Sequence, residues 1–132
     1  LHPRILYAEA GLIPPNDCYS DVYPKCPGWV MPNQENMRKT VKIALNAMLN
    51  ASEQLKRPPK AFRRKDCNCS WRELSAAILE RHHLIADKFY TGQGLRLQKI
   101  DSDIAEYAAT STFLESSSSL NHSLVINEQI SH

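Results

Sequence analysis

The chain has 132 residues, with 16 Lys and Arg against 14 Asp and Glu, a net charge of +2, 42% hydrophobic and 8% aromatic residues. That length is one domain's worth of chain with a modest core, and so small a net charge does not by itself argue for nucleic acid. No apolar run approaches the ~18–20 residues of a membrane span, and no charged stretch leads into an apolar run as in a secretory leader, so no membrane role and a cytoplasmic location are expected.

Residues 3–10 read as a short helix, with Pro3 in the first turn and Gly11 as the stop. Residues 12–33 read as loop, because five prolines (14, 15, 24, 27 and 32) leave no periodicity. The main helix is expected from Gln34 to about Lys56, ended by Pro58-Pro59. Met37, Val41, Ala44, Leu45, Met48 and Leu55 form its apolar stripe. Arg38 and Lys42 lie one above the other beside that stripe, and two like charges at that spacing repel. A phosphate group between them would turn the repulsion into attraction, with Arg as a fork and Lys as a point charge. A solvated basic edge is the plain alternative.

Lys56, Arg57, Lys60, Arg63, Arg64 and Lys65 crowd the next connector. They read either as contacts to a phosphate backbone or as a solvated linker. Ser70-Trp71-Arg72-Glu73 is a capping box and opens a helix to about residue 90. Trp71, Leu74, Ile78, His82, Ile85 and Phe89 mark its buried face, with His82 expected to be packed and hydrogen-bonded. Residues 91–94 break it, and residues 95–100 alternate enough for a short extended piece. The last helix is expected at 102–114, with Ile104, Ala105, Ala108 and Ala109 as a small apolar face. Residues 116–119 are four serines, and 116–132 is expected to be a flexible tail outside a folded unit of residues 1–115.

Four cysteines raise a metal or disulfide question. Cys18 and Cys26 stand eight apart, and Cys67 and Cys69 enclose one residue, whereas structural zinc sites usually enclose two to four. No metal site is assigned, and reduced thiols are the expectation. Three Asn-X-Ser triplets, at 50, 68 and 121, are background without a leader.

The order Arg38, Lys42 and a small-residue helix resembles the nucleotide-binding helix in the fingers of single-subunit polymerases. These are the phage and mitochondrial-type RNA polymerases and the family A DNA polymerases. Leu1-His2-Pro3-Arg4-Ile5-Leu6-Tyr7 looks like the end of that family's first palm motif. Residues 94–106 look like its segment before the last palm motif, a pattern also similar to polymerase-like proteins of bacteria and phage. The resemblance implies that Arg38 and Lys42 hold triphosphate and that Asn50 stands where the family has a sugar-gating Tyr. It also implies a magnesium-dependent nucleotidyltransferase parent.

The departures are specific. The first motif's Asp would precede Leu1, and no His-Asp pair follows residue 107 or occurs anywhere in the chain. Two-metal transfer needs both carboxylates. The expectation is therefore a mostly α fold: three main helices, a short N-terminal helix, long loops and at most one short extended segment. The function expected is that of a truncated or degenerate polymerase-like fragment that binds nucleotide phosphate or nucleic acid weakly. It is catalytically incomplete, holds no cofactor of its own and has no assigned catalytic residues. Should it act, Asp101 and Asp103 are the first acids to test. The alternative is a small helical nucleic-acid-binding or interaction module.

Overall fold

The computed structural model describes residues 2–117, with side chains described to residue 107. Among these residues the fold is mostly α, with no strand. Six helical segments run in order: α1 (His2–Glu9), α2 (Gln34–Asn50), α3 (Arg64–Cys67), α4 (Trp71–Arg81), a 3-10 segment (His83–Lys88) and α5 (Gly94–Ser117). The described residues fall into two compact units, residues 2–97 and 98–117.

The first unit holds the core. Helix α1 buries Pro3, Ile5, Leu6 and Tyr7. It ends in a Schellman turn: Gly11, at φ +73, donates to the Ala8 carbonyl at 3.0 Å, and Leu12 donates to Tyr7 at 2.9 Å. Glycine carries that left-handed position without steric cost. The Asn33 side chain caps α2 by accepting from the Glu35 and Asn36 amides. The stripe of α2 is buried as expected at Met37, Val41, Ala44, Leu45 and Met48, and Leu49 joins it. Helix α2 packs against α3 and α4, and α1 packs against the 3-10 segment.

Helix α2 stops at Asn50, six residues before the expected end, and Leu55 lies in the loop beyond it, only partly buried. The cause is tertiary. The amides of Tyr90 and Gln93 donate to the carbonyls of Met48 and Leu49, both at 2.8 Å, and Gly92 donates to Ala51 at 2.9 Å. These amides satisfy carbonyls that a helix end leaves open, and Ala51 turns to extended backbone. The Pro58-Pro59 pair therefore lies within the connector and does not end the helix.

The capping box of α4 forms as expected, with Glu73 N–H donating to Ser70 Oγ and Ser70 N–H donating to Glu73 Oε1. The expected buried face is present from Trp71 to Phe89. It is not one straight helix, because His82 leaves helical geometry at φ −108, ψ 39 and a 3-10 turn follows. The extended piece expected at 95–100 is helix. Asn50 abuts Gly94 where α5 starts, and Gln93 takes the Leu49 carbonyl, so the turn is already fixed there. Leu97 is fully buried in the first unit.

The described part of the second unit, residues 98–117, is the continuation of α5. Within it Ile104 is 48% exposed. Helix α5 runs two residues into the serine run, and residues 118–132 of the expected tail lie outside the described residues. No helix among the described residues is long and apolar enough to cross a membrane.

His82 joins three segments. Its Nε2 lies 2.8 Å from the Cys18 carbonyl and its Nδ1 lies 2.7 Å from Tyr7 Oη. The carbonyl only accepts, so Nε2 carries the proton and the Tyr7 hydroxyl donates to Nδ1. Burial lowers the pKa of this imidazole below its ordinary 6.5. The unfolded chain then binds the extra proton more readily. Stability from this group is complete above about pH 6.5 and is lost as pH falls through the depressed folded value. In His82→Gln the fall in thermal midpoint just below pH 6.5 should disappear, leaving the carboxylate transition at lower pH; a pH series of melting curves checks this.

Candidate nucleic-acid interface

The two residues expected to grip phosphate have different surroundings. Arg38 points from α2 toward the loop and forms a two-point ion pair with Asp17. Its Nε donates to Oδ2 at 2.9 Å and its Nη2 donates to Oδ1 at 3.2 Å. The guanidinium also lies 5.2 Å from the centre of the Tyr19 ring. Arg38 holds the Asp17 carboxyl below its usual range. Lys42, one turn further along α2, is exposed. Asp17 thus offsets the repulsion that the Arg38–Lys42 spacing would otherwise carry.

Beside this pair lies a groove of about 230 Å³ lined by Asp17, Tyr19, Asp21, Tyr23, Met37 and Arg38 among others. Two of its walls are carboxylates. A phosphate reaching Arg38 from the groove must displace Asp17 and pass near Asp21. Nothing in the spacing of the sequence signals Asp17 as a partner, because it lies 21 residues before Arg38 in a loop without periodicity.

Asn50 is the last residue of α2 and works as a spacer between helices. A side-chain carbon placed on Gly94 would fall 2.2 Å from Asn50 Oδ1. The close approach of α2 to α5 therefore requires glycine at 94 while Asn50 is present. We expect Gly94→Ala to destabilise the chain by ~1 kcal/mol. In an Asn50→Ala background the sign should reverse, since alanine favours helix over glycine by up to ~1 kcal/mol. A double-mutant cycle by chemical denaturation measures both.

The basic connector is the clearest electrostatic feature. Lys56, Arg57, Lys60, Arg63, Arg64 and Lys65 are all exposed. None of the six side chains has a hydrogen bond or ion pair among the described residues. The arginines elsewhere in the first unit, apart from exposed Arg72, are engaged. Arg4 donates to the Pro15 carbonyl, Arg38 to Asp17, Arg81 to the Ser20 carbonyl and Arg96 to Glu9. The connector is anchored at both sides of its charges. At its start the α2 end is clasped by residues 90–93, and at its end Trp29 Nε1 donates to the Cys67 carbonyl at 2.9 Å. Between them Phe62 packs edge-on against Trp71, with ring centres 5.6 Å apart.

Among the described residues no three His, Cys, Asp or Glu side chains are arranged to hold a metal ion. Comparisons with protein-family models, with curated proteins and with solved structures each found no match.

Proposed function

We propose that the chain binds the phosphate backbone of nucleic acid through Lys56, Arg57, Lys60, Arg63, Arg64 and Lys65, as a catalytically incomplete, polymerase-like fragment. The observation that carries this reading is the exposure of six cations within ten residues, none in a salt bridge among the described residues, with Arg64 alone acting on an acid of the fold, Glu73. Unpaired surface cations keep their full charge for a polyanion, and the counterions that the phosphates release drive the association. The connector holds no acid between Lys56 and Lys65. Its contacts are to phosphate, so the reading implies little base preference. The free thiols fit a reducing compartment, the cytoplasm. No nucleotide transfer is expected of the chain alone, in keeping with the missing His-Asp pair.

Affinity for a single-stranded oligonucleotide should fall with salt at a logarithmic slope of ~−4, the value for six phosphate contacts. Neutralising Lys56, Arg57 and Lys60 to Gln should cut that slope by about half. Arg38→Ala with Lys42→Ala should leave it unchanged. Fluorescence anisotropy across a salt series reads all three, and a slope that does not respond to the triple substitution overturns the reading.

A second reading rests on the geometry of Arg38, whose guanidinium fork is already set for a two-point oxyanion contact, with exposed Lys42 one turn on. A nucleoside triphosphate would exchange with Asp17 there. Because a carboxylate of the fold competes, affinity in the ~millimolar range is the expectation, equivalent to ~4 kcal/mol. Adding triphosphate should shift backbone amides of residues 37–43, and the shifts should vanish in Arg38→Ala with Lys42→Ala.

A further inference from the structure

The groove beside Arg38 disfavours phosphate, and neither nucleic-acid reading fills it. Its wall begins at Asp17, whose Oδ1 accepts from the Tyr19 amide at 3.1 Å while its backbone carbonyl accepts from Ser20 Oγ at 3.0 Å. This is an Asx turn, and it sets the path of the loop. Asp21 follows at φ 58, a left-handed position that Asp takes at little cost. Tyr23 Oη then donates to Asp21 Oδ1 at 3.1 Å, which holds a ring and a carboxylate together. Further along, the Val30 carbonyl accepts from Asn68 Nδ2 at 3.0 Å, with Asn68 at φ 55 in the left-handed turn between Cys67 and Cys69. That contact fixes the backbone next to Met31, which lines the groove together with Met37 of α2.

Charge and size select the occupant. The lining side chains carry two carboxylates, Asp17 and Asp21, against one guanidinium, Arg38, so one negative charge is in excess. Asp17 and Arg38 satisfy each other through two hydrogen bonds, which leaves the excess on Asp21. Arg81 stands 3.7 Å from Asp21 Oδ2, beyond hydrogen-bond length, and the Asp21 side chain is 63% exposed. Its carboxylate therefore keeps lone pairs for an incoming cation. Beside it stand Tyr23 and Met31, both exposed. A ring face attracts a cation through its quadrupole, and the Tyr19 ring already does so for the Arg38 guanidinium at 5.2 Å. The groove, about 230 Å³, is smaller than the ~300–1,000 Å³ of pockets that take drug-sized ligands, so its occupant has few heavy atoms. A bare ammonium is strongly hydrated and gains little from apolar walls. An alkylated ammonium spreads the same charge over methyl groups, which suits both rings and thioethers.

We propose that this groove binds a small quaternary or alkylated ammonium ion. Its charge rests on Asp21 and the Tyr23 ring, and its methyl groups lie against Met31 and Met37. The site takes the opposite sign of charge from either nucleic-acid reading and leaves Arg38 paired with Asp17, so it depends on neither.

The test titrates the full chain with choline and with its neutral carbon isostere, 3,3-dimethylbutanol. The methyl signals of Met31 and Met37 and the backbone amides of residues 19–23 are followed by NMR. Choline should move these signals along one saturable curve, with a Kd on the order of 1 mM for so few contacting atoms. The isostere has the same shape without the charge and should bind at least ~tenfold more weakly. Asp21→Asn keeps the left-handed backbone and removes the charge, and it should weaken choline about tenfold. Tyr23→Leu should weaken it about fivefold. Equal binding of the isostere, an unchanged choline curve in Asp21→Asn, or shifts that do not saturate overturn the proposal. The comparison of choline with its isostere on the unaltered chain decides the matter even if a variant fails to fold. Neither variant touches the connector cations, so the salt slope for oligonucleotide tests the nucleic-acid reading separately.

Discussion

His82 uses both ring nitrogens inside the protein, one on the Tyr7 hydroxyl of α1 and one on the Cys18 carbonyl of the proline-rich loop. It also sits at the bend between α4 and the 3-10 segment. Three parts of the chain that share no periodicity are therefore positioned by one imidazole. Losing it would leave a buried hydroxyl and a buried carbonyl without partners, at ~1–3 kcal/mol each. That is a large share of the stability of a small domain. The loop is then laid over α4 by surface pairs, Lys25 with Glu80 and Arg81 with Asp21. Exposed pairs of this kind add little by themselves. They follow the geometry that the buried network sets.

Arg38 and the connector cations differ in one respect that decides their roles. Arg38 lies where the loop passes, so the fold supplies it with a carboxylate and an aromatic ring. The connector leaves the core after Asn50 and returns at Phe62 and Cys67, and none of its six cations is in a salt bridge among the described residues. A similar charge is structural in one place and available in the other. Glu9 and Arg96 show the same logic within the first unit. Each stands at the unfavourable end of its helix dipole, Glu9 in the last turn of α1 and Arg96 in the first turn of α5, and they pair with each other at 2.9 Å.

Local chemistry was legible in the sequence. The stripe of α2, the capping box at Ser70, the glycine stop at 11 and the buried face through His82 depend on neighbours within a few residues, and periodicity or a motif reports them. The end of α2 was not legible, because the amides that close it come from residues 90–93, some forty positions away. The helix at 94–100 was missed for the same reason: its start is fixed against Asn50. In the candidate site, the six connector cations could be read from composition. The Asp17 partner of Arg38 could not, since the loop that carries it has no pattern to project. The left-handed turn between Cys67 and Cys69 was equally hidden, although Asn between two cysteines is compatible with it. The resemblance implies Arg38, Lys42 and Asn50 as a set; in the fold the first pairs with Asp17 and the last abuts Gly94.

Trp29 has an optical consequence. Its indole is half-buried and bound to the Cys67 carbonyl, while Trp71 is buried between α4 and the ring of Phe62. The chain has two tryptophans, so its ultraviolet emission has two sources in unlike settings. Trp71 reports the core and changes only when the core opens. Trp29 reports whether the loop is seated on the end of α3, and its emission moves toward the red when that one hydrogen bond is replaced by water. The protein thus carries a native, label-free gauge of whether this contact is made, separable from global unfolding by a Trp71→Phe background.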